Sequence, residues 1–146
     1  MITLADLKGF SEEKVFEHLV ENYSRRHEWD EDCSDEFEMR KNEEYRRESS
    51  EKLAYMEILV AYESVGDWGC DSESFFLFKR KTDGLLFELH GSHCSCYGFE
   101  GQLDLEETSL AALKYRAENA NVFYAGGYDK DETENQRIVN EYIKSL

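Results

Sequence analysis

Two of the four histidines and two of the four cysteines of this 146-residue chain fall within seven residues, in His90-Gly-Ser-His-Cys-Ser-Cys96. Imidazole nitrogens and thiolates are the ligands zinc prefers, and they are also the parts of a thiol nucleophile with its base. His90, His93, Cys94 and Cys96 are therefore the candidate ligand set, zinc is the metal they would suit, and Cys70 is a further ligand if its loop lies at the same sheet end. The spacing weighs against it. Structural zinc sites pair elements such as Cys-x-x-Cys and His-x-x-x-His, whereas here one Cys-x-Cys stands without a second pair. His93 beside Cys94 could lower a thiol pKa, but no Asp or Asn can be assigned to orient the imidazole, so a catalytic triad is not supported. The competing reading, and the favoured one, is structural: small buried cysteines in a tight loop whose backbone is hydrogen-bonded by Ser92, Ser95 and the histidines.

Charge is the second candidate carrier of function. The 33 acidic and 17 basic residues give a net charge of -16, so free nucleic acid would meet a repulsive field and a basic protein an attractive one. Between Glu28 and Glu51 eleven acidic residues face four basic ones. Carboxylates at i, i+3 and i+4 of a helix lie about 5–6 Å apart, and DNA carries a phosphate about every 3.4 Å of each strand, so an acidic helical face imitates a phosphate row. Glu31, Asp32, Asp35, Glu36 and Glu38 are the candidate charges for such a partner surface. Arg40, Lys41, Arg46 and Arg47 dilute the resemblance, and the bland alternative is a solvated face. Trp68, between glycines in Gly66-Asp-Trp-Gly-Cys-Asp71, and Tyr97 are the aromatic candidates for anchoring an interface; for Trp68 the alternative is folding back over the sheet edge.

The elements that must position these residues are read from periodicity. Thr3 with Asp6 forms a capping box for a short helix that Gly9 would stop, and Ser11 caps a longer helix carrying Val15, Phe16, Leu19, Val20 and Tyr23 on one face. His18 and His27 are expected as ordinary surface histidines. Residues from about 28 to 52 read as an acidic helix or connector. Met56, Ile58, Val60 and Tyr62 alternate along one face of a strand, with Glu57 and Glu63 on the other. Phe75 to Arg80 is a second strand, Thr82-Asp83-Gly84 a tight turn, and Leu85 to His90 a third. Asp104 with Glu107 caps a helix with Leu110, Leu113 and Ala117 on one face; Val122 to Tyr124 makes a short extra strand. Asp131 with Glu134 opens a last helix bearing Ile138, Val139, Tyr142, Ile143 and Leu146. The expected fold is α+β over residues 1-146 as a single domain, a three- to four-stranded antiparallel meander with N- and C-terminal helices covering one face.

The stretch from Leu53 to Arg116 resembles small proteins encoded by tailed bacteriophages and prophages. The resemblance is carried by Gly66-Asp-Trp-Gly, by the Phe-rich strand before Asp83-Gly84, and above all by Gly91-Ser-His-Cys-Ser-Cys-Tyr-Gly-Phe-Glu-Gly-Gln102 followed by Glu106-Glu-Thr-Ser-Leu-Ala-Ala-Leu113. It implies a phage or prophage context and no residue role. Small acidic phage proteins often bind host proteins, including nucleic-acid-binding defence enzymes and transcription machinery.

Together these readings give a non-enzymatic acidic protein that binds a host protein with a basic surface, without direct nucleic-acid or membrane contact. The alternative is a zinc protein or thiol-dependent enzyme on the His90–Cys96 loop. No apolar run is long enough to span a bilayer and the first residues lack a signal-peptide layout, so the cytoplasm of the host is the expected compartment and the cysteines are expected reduced.

Overall fold

The computed structural model describes residues 1–24, 35–66, 72–94, 98–119 and 132–146, with the backbone alone over 35–39, 41 and 132–133. In chain order its elements are β1 (Ile2–Ala5), α1 (Glu12–Tyr23), α2 (Asp35–Leu53), β2 (Met56–Ser64), β3 (Ser72–Arg80), β4 (Leu86–His93), β5 (Glu106–Thr108), α3 (Leu110–Asn119) and α4 (Glu132–Ser145). The strands form one sheet in the order β1-β2-β3-β4-β5, with β1 parallel to β2 and the other neighbours antiparallel. The α+β class and the β2–β3–β4 meander are as expected; two flanking strands make the sheet five-stranded and mixed.

Both added strands replace an expected helix start. Asp6 does not cap a helix, because its Oδ2 accepts from the backbone N–H of Val65, 2.8 Å away, at the far end of β2. With that carboxylate engaged, Ile2-Thr3-Leu4 pairs in register with Val60-Ala61-Tyr62. Asp104 and Glu107 do not form a capping box either: Glu106–Thr108 pairs with Leu86–Glu88, and the Ser109 hydroxyl caps α3 by accepting from Ala112 N at 3.1 Å. Leu110 is consequently exposed, while Leu113 and Ala117 are buried. The Ser11 cap is as expected, accepting from Lys14 N at 3.2 Å. At the β3–β4 turn Gly84 adopts φ +76°, and Asp83 takes hydrogen bonds from the Arg80 guanidinium.

Helices cover both faces of the sheet, not one. On one face Val15, Leu19 and Tyr23 of α1 and Leu53 of α2 pack on Ile58, Ala61, Phe76, Phe78 and Leu89. On the other, Leu113 and Ala117 of α3 and Val139 and Ile143 of α4 pack on Val60, Tyr62, Phe75 and Leu77. The unbroken apolar runs Ile58–Tyr62 and Phe75–Phe78 are what two-sided burial looks like in sequence. Each fully buried large side chain contributes roughly 1.5–3 kcal/mol, so neither face of β3 can be left to water.

A β-bulge decides the most consequential placement. The β2–β3 register shifts between Ile58 and Val60, where Ile58 pairs with Phe78 and Val60 with Leu77. The extra residue, Leu59, reverses the alternation. Met56 and Ile58 therefore face α1, Val60 and Tyr62 face α3 and α4, and Glu63 comes round to the α1 side, where it is buried. Straight alternation would have put it on the opposite face. The acidic segment is helical over Asp35–Leu53; the expected strand Val122–Tyr124 lies outside the described residues.

Candidate functional site

The Gly91–Gln102 segment begins as sheet. β4 continues through His93, three residues beyond the expected end, and strand alternation puts His90 and His93 on opposite faces. His90 pairs in register with Phe75 and its ring lies 5.1 Å from that ring, on the α3 side. His93 lies edge-on to Phe99, 4.4 Å between centroids, on the α1 side. One ion cannot be shared by both. Among the described residues no group of three His, Cys, Asp or Glu side chains is placed to hold a metal ion. Cys94 is exposed and not disulfide-bonded, while Cys96, Tyr97, Trp68 and Cys70 lie outside the described residues.

Other residues of the motif have identifiable structural roles. Gly91 faces Ser74 across β3 and β4, and a Cβ there would meet Ser74 Oγ at 2.3 Å and the Phe99 ring at 2.9 Å. The missing side chain lets Phe99 fold back over the strand and stack on Tyr23, 4.7 Å away and nearly parallel. Gln102 then acts as a substitute strand for Ser92, its Oε1 accepting from Ser92 N at 2.9 Å and its Nε2 donating to Ser92 O at 2.8 Å.

His90 belongs to an ion-pair cluster. Its Nε2 is 3.2 Å from Oε1 of the buried Glu88, whose other oxygen accepts from Arg116 of α3. Burial pushes the Glu88 carboxyl up, but hydrogen bonds from His90, Arg116 and Thr108 and the Arg116 charge outweigh it and hold it down at about 2. This cluster ties α3 to β4.

His93 faces a different assembly. A cavity of about 290 Å³ is lined by Asp6, Leu7, Phe10, His18, Asn22, Glu63, Val65, His93, Gly98, Phe99 and Glu100. Its polar centre is the Glu63 carboxylate, bonded to His18 Nε2 on one oxygen and to the Tyr23 hydroxyl at 3.3 Å on the other. Burial first, then the Glu63 charge, hold the Tyr23 phenol well above its ordinary range, so it stays a donor. Asn22 Nδ2 donates to His18 O at 2.9 Å, which identifies that atom as nitrogen; it also lies 3.1 Å from His18 Nδ1. His18 is thus not the ordinary surface histidine expected from the sequence; its position three after Val15 places it at the border of the apolar face.

The second concavity runs along α1. A groove of about 680 Å³ has a floor that includes Phe16, Val20, Leu53 and Met56 and a rim of Glu12, Glu13, Glu17 and Glu21, with Lys81 the one basic residue among the described residues lining it. Glu12 also accepts from Ile58 N at 3.3 Å, and Glu21 from Arg46 of α2 at 3.3 Å; Glu13 and Glu17 are exposed. Of the charges singled out in the sequence, Asp35, Glu36 and Glu38 lie in the first turns of α2 by their backbone, and Glu31 and Asp32 lie outside the described residues. No family model matches the chain, nor does any curated protein or solved structure.

Proposed function

We propose that this chain is a non-enzymatic accessory protein of a phage or prophage that binds a basic surface of a host protein in the host cytoplasm, in the manner of a DNA mimic directed at a nucleic-acid-binding defence or transcription factor. The observation that carries the reading is the α1 groove: an apolar floor under a rim of four glutamates. Apolar burial supplies affinity in such an arrangement, while the charge steers a basic partner into it and sets the salt dependence. The net charge of -16 extends the attraction beyond contact distance. Glu31, Asp32, Asp35, Glu36 and Glu38 add charge from the segment joining α1 to α2 and from the start of α2, with Trp68 and Tyr97 as further anchors. Among the described residues no helix is long and apolar enough to cross a membrane. The zinc or thiol alternative is the weaker reading, because His90 and His93 face opposite sides of the sheet.

Capture from bacterial lysate tests the proposal. The immobilised protein is expected to retain a nucleic-acid-binding host protein at low salt and to release it to competing duplex DNA and to high salt. Retention of no partner at either salt, or of one that duplex DNA does not displace, would contradict it.

A further inference from the structure

α1 carries more apolar surface than the sheet uses. Val15, Leu19 and Tyr23 are buried against the sheet, which is the one apolar stripe a surface helix needs. Phe16 and Val20, a turn apart and one position further round, stay partly open and line the α1 groove together with Leu53 and Met56. Beside this floor Tyr55, between the lining residues Ala54 and Met56, is 62% exposed, and tyrosine is among the residues that most often carry interface energy.

The rim points separately to a cationic occupant. Glu13, Glu17 and Glu21 stand at i, i+4 and i+8 of α1, a row of like charges that works against the helix it lies on. Glu21 meets Arg46 of α2 at 3.3 Å. Glu13 and Glu17 are exposed and have no ion-pair partner among the described residues, so basic groups flanking an apolar segment would complete the row.

Shape narrows the occupant further. The backbone amides of Ile58 and Lys81 beside the groove are engaged, the first by the Glu12 carboxylate at 3.3 Å and the second by the Tyr55 carbonyl at 2.7 Å. An extended peptide lying on the apolar floor finds no ladder in these groups, and its own N–H and C=O groups would lose water without gaining partners. A helix brings its hydrogen bonds with it. From Glu13 to Glu21 α1 rises about 12 Å, or roughly two helical turns, the span over which a docked helix presents anchors at i, i+4 and i+7. A second copy of this chain is opposed by its own charge of -16.

We propose that the α1 groove receives a two-turn amphipathic α-helix of the partner, with apolar side chains on Phe16, Val20, Leu53 and Met56 and flanking Lys or Arg against Glu13 and Glu17. The inference rests on the groove as the host-protein surface proposed above and adds the form of the segment that enters it.

The test is an NMR titration of the intact protein with three capped peptides of Lys, Ala and Leu that carry the same charge. One has Leu at i, i+4 and i+7; one has the same Leu residues spread round the helix; one has the first spacing interrupted by a central Pro, which breaks the helix. The first is expected to give saturable shifts of the Val20, Leu53 and Met56 methyl groups. The other two are expected to bind at least about tenfold more weakly, because losing one buried Leu anchor already costs about that factor. Ala54→Arg, at an exposed lining position, is expected to weaken the first peptide at least about tenfold, and Glu13→Gln/Glu17→Gln about threefold. No saturable shift at millimolar peptide, equal binding of all three peptides, unchanged affinity in both variants, or equally tight binding of octylammonium would overturn the proposal. Failure of the peptides while a host protein is still captured overturns the helix alone; peptide binding in the groove with no host protein captured overturns the functional reading and leaves the groove's preference standing.

Discussion

Glu88 and Glu63 are both buried carboxylates on the meander, and they differ in what faces them. Glu88 has the Arg116 guanidinium and His90; Glu63 has His18 and Tyr23. The folded Glu88 carboxyl, held at about 2 against an ordinary 4.5, contributes stability that is present above the unfolded value and lost as pH falls from about 4.5 towards 2. Allowing for solvent screening at its partly exposed partners, the contribution is on the order of 1–2 kcal/mol. Thermal unfolding of wild type and Glu88→Gln across pH 7 to 3 is expected to show a gap at neutral pH that narrows below about pH 4.5; a gap independent of pH would contradict this role. At this scale the sequence was partly legible. The motif stands out in sequence, but its histidines read as a cluster there because nothing local shows that β4 runs on as far as His93. The partnership of His18 with Glu63, 45 residues apart, leaves no local signal.

Elements whose signals are local and unopposed were readable: the Ser11 cap with its apolar stripe, the Asp83-Gly84 turn, and the Val139/Ile143 face of α4. Two errors share a cause. Thr3/Asp6 and Asp104/Glu107 have the residue types of capping boxes, but tertiary pairing claimed the segments, β1 through its register with β2 and β5 through the exposed edge of β4. The bulge at Leu59 is invisible in the composition of β2, since an apolar residue fits either face of a strand buried on both. The reassigned start of α3 can be checked by substitution. Ser109→Ala is expected to lower stability by about 1 kcal/mol through loss of its cap, whereas Asp104→Ala should leave the unfolding midpoint essentially unchanged. The reverse order would restore the capping box and remove β5.

For the whole molecule, the sheet and its two helical layers form the frame, and the charge is carried on the surface. The class of fold and the acidic balance were legible because they follow from composition and period. The location of the α1 groove was not, since it arises where α1, the end of α2 and the start of β2 meet, and no one of these marks it in sequence. Glu13 and Glu17 are exposed on its rim, so reversing their charge should leave the fold intact while opposing a basic partner. The most direct measurement is calorimetric titration of the captured host protein, at low salt, with wild type and with Glu13→Lys/Glu17→Lys. The account predicts a loss of affinity of at least about tenfold in the variant, as expected for rim charges facing a basic surface, with the variant still folded and its unfolding midpoint lowered only slightly, since Glu13 lies in the first turn of α1; affinities within about twofold of each other, less than about 0.4 kcal/mol, would contradict the groove as the binding surface.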